Sequence, residues 1–500
     1  MAGLSFAAPA VDVERREDGA VVLRSRHALG DYPRHVGDVL RAWSERAPER
    51  AFLMERDASR AVRSVTYGEA REAVERLAAA FVQRGLDAES PVLVLSENGI
   101  DHALVAFAAM HAGVPVAPVS TAYSLASRDF AKLRAIFAIV EPGLVYASDG
   151  RRFGPALDAL GVPADRVVTS DGARGTALAR LLDARPGPEL ERRFLAQTPD
   201  TVAKILFTSG STGEPKGVLN TQRMLCSNQR AIEVAWPFLR ERPPRVVDWL
   251  PWSHTFGGNH NQYMALFHGG TLFVDDGRPT PELVGRTLEN LAALAPTLYF
   301  NVPRGFAVLL PRLEADLAAA QALFGDLDVC FYAAASLPAP LWERLEALAL
   351  RVRGRPVAML SAWGSTETAP MATTVHFEIR RAGVIGLPAP GTAIKLAPVS
   401  GKLELRVAGP NVTPGYHKRP DLLAAALDEE GFFRMGDAGR LADDADPSRG
   451  LVFDGRLAED FKLGSGTWVR VGAVRQALVA AGEPLVADAV IAGHDRDEVG

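Results

Sequence analysis

Residues 205–217 read Ile-Leu-Phe-Thr-Ser-Gly-Ser-Thr-Gly-Glu-Pro-Lys-Gly, and this stretch decides how the rest of the chain is read. The apolar run 205–208 has the character of a strand. Thr208, Ser209, Gly210, Ser211, Thr212 and Gly213 follow directly, then Glu214, Pro215, Lys216 and Gly217. Glycines let a backbone approach a ligand closely. Hydroxyls and free amides can donate to phosphate oxygens, and Lys216 adds a mobile positive charge. A Ser/Gly-rich surface turn has the same composition. A Walker loop is excluded, because that motif needs Gly-Lys-Ser/Thr opening a helix. Here Pro215 and Gly217 flank the lysine and disfavour a helix start.

Working outward, residues 65–119 alternate strand and helix. Thr66 and Glu69 have the spacing of a capping box. Ala70, Val74, Leu77 and Phe81 recur at helical spacing, and Gly85 closes the helix. Strands are predicted at 92–95 and 114–119, with a helix between them. Apolar runs at 246–250, 271–274, 298–302, 329–332 and 357–363 read as further buried strands. Such alternation argues for α/β layers with largely parallel sheets. Active residues then belong on loops at the carboxyl ends of strands. From about 384 to 455, short strand-like pieces (393–396, 402–407, 451–453) alternate with Gly/Pro turns, as in a small β-rich subdomain. Residues 156–199 read as the most linker-like stretch, and 487–492 as a strand close to the end. The expected division is one large unit over 1–457 and a small unit over 458–500.

Five hundred residues exceed the ~100–200 expected of one domain. Hydrophobic residues at 48% and charged residues at 23% are ordinary for a globular chain. A net charge of −5 gives no basic field for nucleic acid. Cys226 and Cys330 are the only cysteines, which suits a reducing compartment and argues against a metal–thiolate cluster. The N-terminus lacks a basic start followed by an apolar core. The longest apolar run, 104–119, is broken by His111, Gly113 and Pro115, short of the ~20 residues of a bilayer span. A cytoplasmic protein with neither nucleic-acid nor membrane partners is expected, and a homodimer is left open. Seven lysines stand against forty-eight arginines, so a lysine at 216 is less accidental than it would be elsewhere.

Other segments agree in order. Trp363-Gly364-Ser365-Thr366-Glu367 closes a strand. Ala333-Ala334-Ala335-Ser336 follows another. Gly409-Pro410-Asn411-Val412-Thr413-Pro414-Gly415-Tyr416, Phe433-Arg434-Met435-Gly436-Asp437 and Asp454-Gly455-Arg456 come later, and Trp252-Ser253-His254-Thr255-Phe256-Gly257 lies between. Together with 208–217, these resemble the adenylate-forming superfamily of acyl-CoA synthetases, nonribosomal adenylation domains and luciferases. The resemblance runs over nearly the whole chain from Val65. It implies a large N-terminal domain of two helix-flanked sheets with a small β-barrel-like subdomain, then a small mobile α+β domain.

The resemblance also implies roles. The loop 208–213 and Lys216 would hold ATP phosphates, with Gly364 and Ser365 in the nucleotide site. Trp363 would stack on adenine, and Ala334 and Ala335 would present backbone to it, where relatives usually have glycine. Thr366 would hold the α-phosphate and Glu367 would ligate Mg²⁺. Taken alone, Glu367 would sooner be a solvated loop carboxylate. Asp437 would bind the ribose hydroxyls, although Met435 replaces the usual threonine, and Arg456 would reach the ribose or phosphate. The segment 409–416 is mostly structural. His254, Phe256, Gly257, Asn259 and Ser336 would line the acyl pocket, with His254 as a gate; a histidine beside apolar residues is otherwise more often a core histidine.

The chemistry implied is transfer of AMP from ATP to a carboxylic acid, then displacement of AMP by coenzyme A. Residues 220–228, 249–261 and 459–469 are similar to the feruloyl-CoA synthetase branch, whose substrate is a hydroxycinnamate. Asn259, His260 and Asn261 could contact a phenol or could begin a capped helix. Other aryl or fatty acids, a carrier-protein thiol, or a catalytically silent nucleotide-binding homologue are the alternatives. The hinge position is Ala458, where relatives usually have Asp or Lys. Lys462 is the only lysine after it and lies too close to serve as the C-terminal catalytic lysine. The expectation is a truncated C-terminal domain, and a chain that binds ligands but adenylates poorly.

Overall fold

The computed structural model describes residues 3–209, 214–379, 382–463, 467–482, 486, 489–493, 496 and 498–500. The capping box at 66–69 is present. Thr66 Oγ1 accepts from Glu69 N–H at 3.2 Å and Glu69 Oε2 accepts from Thr66 N–H at 2.8 Å. This starts the helix Tyr67–Gln83, which buries Ala70, Val74, Leu77 and Phe81. Gly85, at φ 75°, takes the left-handed turn that releases the chain. The next helix, Ile100–His111, is buried along nearly its whole length, as an apolar helix without a polar face must be.

Two sheets carry the fold. The seven-stranded sheet runs in the order Pro215–Thr221, Val202–Ser209, Val116–Pro118, Val92–Leu95, Leu144–Ala147, Val167–Thr169, Thr176–Ala177. It is parallel except for the Pro215–Thr221 edge. The second sheet has fifteen strands. Ala51–Arg56, Thr271–Val274, Arg245–Asp248, Leu298–Asn301, Val329–Tyr332 and Ala358–Gly364 are neighbours in parallel. Beyond Ala358–Gly364 the sheet turns antiparallel and curls into the β-rich region.

One apolar core joins strands of both sheets to the helices Tyr67–Gln83, Ile100–His111, Gln222–Ala235 and Gln262–Phe267. Two further cores cover the outer faces, so helices lie between and outside the sheets. This is the α/β architecture expected.

Three local readings are corrected. Residues 156–199 are not a linker. They hold Val167–Thr169 and Thr176–Ala177, which finish the parallel edge of the seven-stranded sheet, and the helices Leu178–Leu181 and Pro188–Ala196. Strands of two or three residues are too short to show a period. Residues 489–492 form no strand, while 487 and 488 lie outside the described residues. The β-rich region also takes in the hairpin Val11–Arg15 and Val21–Ser25, which pairs with Ala393–Val399; nothing local signals so distant a partner. After Arg456 come the hairpin Phe461–Lys462 with Trp468–Val469 and the helix Val471–Ala481. No described helix is long and apolar enough to cross a membrane.

Candidate active site

The strands Val202–Ser209 and Pro215–Thr221 form an antiparallel hairpin in which Thr208 pairs with Lys216. Gly210, Ser211, Thr212 and Gly213, and the side chain of Ser209, lie outside the described residues. Lys216 stands on a strand, and the next helix begins only at Gln222, capped by Thr221. At Gly217 an added Cβ would sit 2.9 Å from Ile205 Cγ2, so any larger residue there displaces that side chain.

Two parallel neighbours bring the adjacent loops to the same end. Val329–Tyr332 leads into 333–336, and Ala358–Gly364 leads into 365–368. Ala334 has φ 72°, a region that strains any residue with a Cβ. Ala334 and Ala335 are exposed, and Ser336 is half-buried. At Gly364 an added Cβ would run into the Pro370 carbonyl oxygen, so the turn admits only glycine.

Glu367 is held from both sides. Ser365 Oγ donates to its Oε2 at 2.7 Å, and Tyr416 Oη donates to its Oε1 at 3.1 Å. Each oxygen keeps a lone pair toward a hard cation that would take its other ligands from phosphates and water. The segment 409–416, expected to be mostly structural, supplies Tyr416, and its neighbour His417 joins it. Thr413 N–H donates to Glu367 O at 2.8 Å, and His417 N–H donates to Gly217 O at 2.7 Å. The segment thus ties the Glu367 turn to the hairpin strand.

Trp363, Asp437 and Arg456 meet as well. Trp363 Nε1 donates to Asp437 Oδ2 at 2.8 Å, and Arg456 Nε lies 3.6 Å from Oδ1. Asp437 and Arg456 are cross-strand partners. Burial raises the Asp437 carboxyl above its ordinary pKa, opposed by the indole N–H and by the guanidinium.

The segment 252–262 is tied to the Thr366 turn through Asn259 and Asn220. Phe256–Asn261 is a single π turn, a geometry that recurs at functional sites. It runs straight into the helix Gln262–Phe267 without a side-chain cap, so the capped-helix reading of 259–261 falls. His254 is exposed, and desolvation by the surrounding protein lowers its pKa. Asn259 is buried, and its Nδ2 donates to Asn220 Oδ1 at 2.6 Å and to Thr255 Oγ1 at 3.1 Å. Asn220 in turn donates to Thr366 O at 3.3 Å. His260 sits among Phe256, Phe300 and Phe331 at centroid distances of 5.7, 5.2 and 5.3 Å. Its Nδ1 bonds Asn261 Oδ1 at 2.9 Å, while Nε2 has no partner. Burial lowers its pKa to about 4, so the ring is neutral.

Ala458 is exposed in the turn after Arg456. Two residues on, Asp460 and Lys402 form a buried ion pair at 2.6 Å. Asn220, Tyr416 and the Lys402–Asp460 pair escaped the sequence reading. The cross-strand alternation of the hairpin was the available signal for Asn220.

A family model described as AMP-binding enzyme matches residues 40–417. The chain belongs to that family. This AMP-binding enzyme is 25% identical over 484 residues to a long-chain-fatty-acid–CoA ligase of Mycobacterium bovis, covering 87% of this chain and 76% of that one. It is 29% identical over 307 residues to an anthranilate–CoA ligase of Pseudomonas aeruginosa, covering 59% and 55%. Its fold is similar to that of the anthranilate CoA ligase AuaEII in complex with anthranoyl-AMP. There the TM-score is 0.75 at 18% identity, over 92% of this chain and 83% of that one.

Proposed function

We propose that this AMP-binding enzyme is an acid–CoA ligase that activates an aromatic carboxylic acid, a hydroxycinnamate such as ferulate, as its acyl-AMP and passes the acyl group to coenzyme A. The observation that supports the aromatic part is the half-buried Phe256 packed over a buried cluster of His260, Phe300 and Phe331. With Nδ1–H given to Asn261, Nε2 holds an unused lone pair. A phenolic O–H is a donor suited to it.

A carboxylate resists attack because of its charge. In the first step its oxygen attacks the α-phosphorus, and the bond to pyrophosphate breaks. Charge grows on the α-phosphate. Lys216 and Thr366 would supply donors to it, and Mg²⁺ held by Glu367 would add Lewis acidity. Trp363 and the backbone at Ala334 and Ala335 orient adenine. Asp437 and Arg456 hold the ribose, and His254 stands at the gate. In the second step a thiol sulfur attacks the acyl carbon, and the C–O bond to AMP breaks.

Calorimetry with non-hydrolysable feruloyl-AMP and octanoyl-AMP mimics tests this reading. Tight binding of the feruloyl form alone is expected. Equal binding would discard the aromatic substrate, and no binding of either would discard the adenylate site.

A further inference from the structure

Lys204 is 2% exposed in the strand Val202–Ser209. Its Nζ donates to Gly258 O at 2.6 Å and lies 4.6 Å from the Tyr263 ring centroid. Among the described residues no carboxylate pairs with it. The imidazole that feels its charge, His102, is itself held neutral, its pKa lowered to about 4. Burial alone lowers the pKa of Lys204 to about 7. An ammonium taken out of water without a counter-charge destabilises a fold, and an apolar side chain of similar length would not.

What the buried Nζ holds is one carbonyl in the π turn 256–261. Asn220, the cross-strand partner of Lys204, holds the next residue through Asn259 Nδ2. Directly paired antiparallel residues project to the same face. One face of the hairpin therefore grips the turn at two consecutive residues. At ~3.3 Å per residue, the same face reaches Thr208 and Lys216 about 13 Å further along. Glycine at 258 is forced, because an added Cβ would meet the Trp252 carbonyl oxygen. The turn is folded against its own backbone, and Lys204 clamps it there.

We propose that Lys204 is a positioning residue that fixes the acyl-pocket turn in register with the nucleotide end of the same hairpin, so that recognition of the acyl group, and not of the nucleotide, depends on it. This inference rests on reading 254–260 as the acyl wall. Lys204 bonds none of Trp363, Asp437 or Arg456, so the ribose and adenine contacts do not pass through it.

The test is calorimetry on the 500-residue chain with AMP and with the feruloyl-AMP mimic, alongside thermal unfolding. A misplaced wall costs affinity steeply, so Lys204→Met is expected to lose about tenfold or more for the mimic and less than about twofold for AMP. Its unfolding midpoint should stay level or rise, since a buried charge is gone. Lys204→Gln keeps a donor and should recover part of the loss. Wild-type affinity of Lys204→Met for the mimic would overturn the proposal. So would equal losses for AMP and mimic with a lowered midpoint, which is what a merely structural lysine gives. Should the Met variant fail to fold, the Gln variant is judged by the same split. Phe256→Ala is run in parallel. If it binds the mimic as the wild type does, the acyl-wall reading itself fails, whatever Lys204 does.

Discussion

Asp437 has one oxygen on the Trp363 indole and the other facing Arg456. In the proposed ribose-binding role its carboxyl is ionised to accept from two hydroxyls. Burial has already raised its pKa, and the indole N–H is what pulls it back. Trp363→Phe removes that donor and raises the pKa further. Binding that needs the carboxylate is lost as pH falls through the pKa, so in the variant AMP affinity should begin to fall at higher pH. Titrating AMP affinity against pH in both proteins checks this, and coincident curves would contradict it. His260 offers a second test at this scale. A site that bonds a hydroxyl discriminates strongly against analogues lacking it. His260→Phe keeps an aromatic ring and removes the Nε2 acceptor. The preference for a feruloyl-AMP mimic over a cinnamoyl-AMP mimic should drop by about tenfold or more. An unchanged ratio would remove His260 from substrate recognition.

Elements differ in how plainly they can be read. The helix Tyr67–Gln83 was legible from Thr66 and Glu69 to Gly85 because its cap, period and stop are all local. Val329–Tyr332 and Thr271–Val274 were legible as apolar runs of strand length. The π turn was not, because Gly257, Gly258 and Asn259 look like any polar start to a helix. Its cause is in part tertiary: Gly257 and Gly258 let the chain press onto the nearby carbonyls of residues 250 and 252, and Lys204 and Asn220 of a distant hairpin hold it there. Tyr416 was hidden for the same reason, since its partner Glu367 is distant in sequence. Of the site, the segments carrying Glu367, Asp437 and Lys216 were visible as motifs, whereas the hydrogen bonds joining them were not. The turn also carries a prediction. Gly257→Ala would drive a methyl group into the Leu250 carbonyl oxygen. Overpacking of this kind costs on the order of 1–3 kcal/mol. A lower thermal midpoint and weaker binding of the acyl-AMP mimic are expected together. Retention of both would mean that the turn can relax.

Across the whole molecule, acid is the condition that the inner helical layer withstands least. Burial lowers the imidazole pKa to about 4 at His102, His260, His268 and His376, and to about 3 at His111. An unfolded histidine titrates near ~6.5. Folding therefore releases protons below that pH, the unfolded chain binds more of them, and stability falls as pH falls from about 6.5 toward 4. Each unit of separation is about 1.4 kcal/mol, so a few such groups approach the ~5–15 kcal/mol that holds a native protein. Asp248 works in the opposite sense. Burial raises its pKa to about 8, so its contribution is kept in acid and lost as pH rises through that value. Burial also raises the carboxyls of Glu55, Asp275, Asp328 and Asp437, which act in the same sense as Asp248, but it displaces them less than it displaces the imidazoles. The imidazoles are also concentrated: His102 and His111 lie on Ile100–His111, while His260 and His268 flank Gln262–Phe267. Those helices separate the two sheets and adjoin the π turn Phe256–Asn261. Between pH 6.5 and 4 the thermal midpoint should drop steeply, and amide exchange should rise in residues 256–268 before it rises in the β-rich region. Exchange rising first in the β-rich region would place the acid-labile element outside the inner layer.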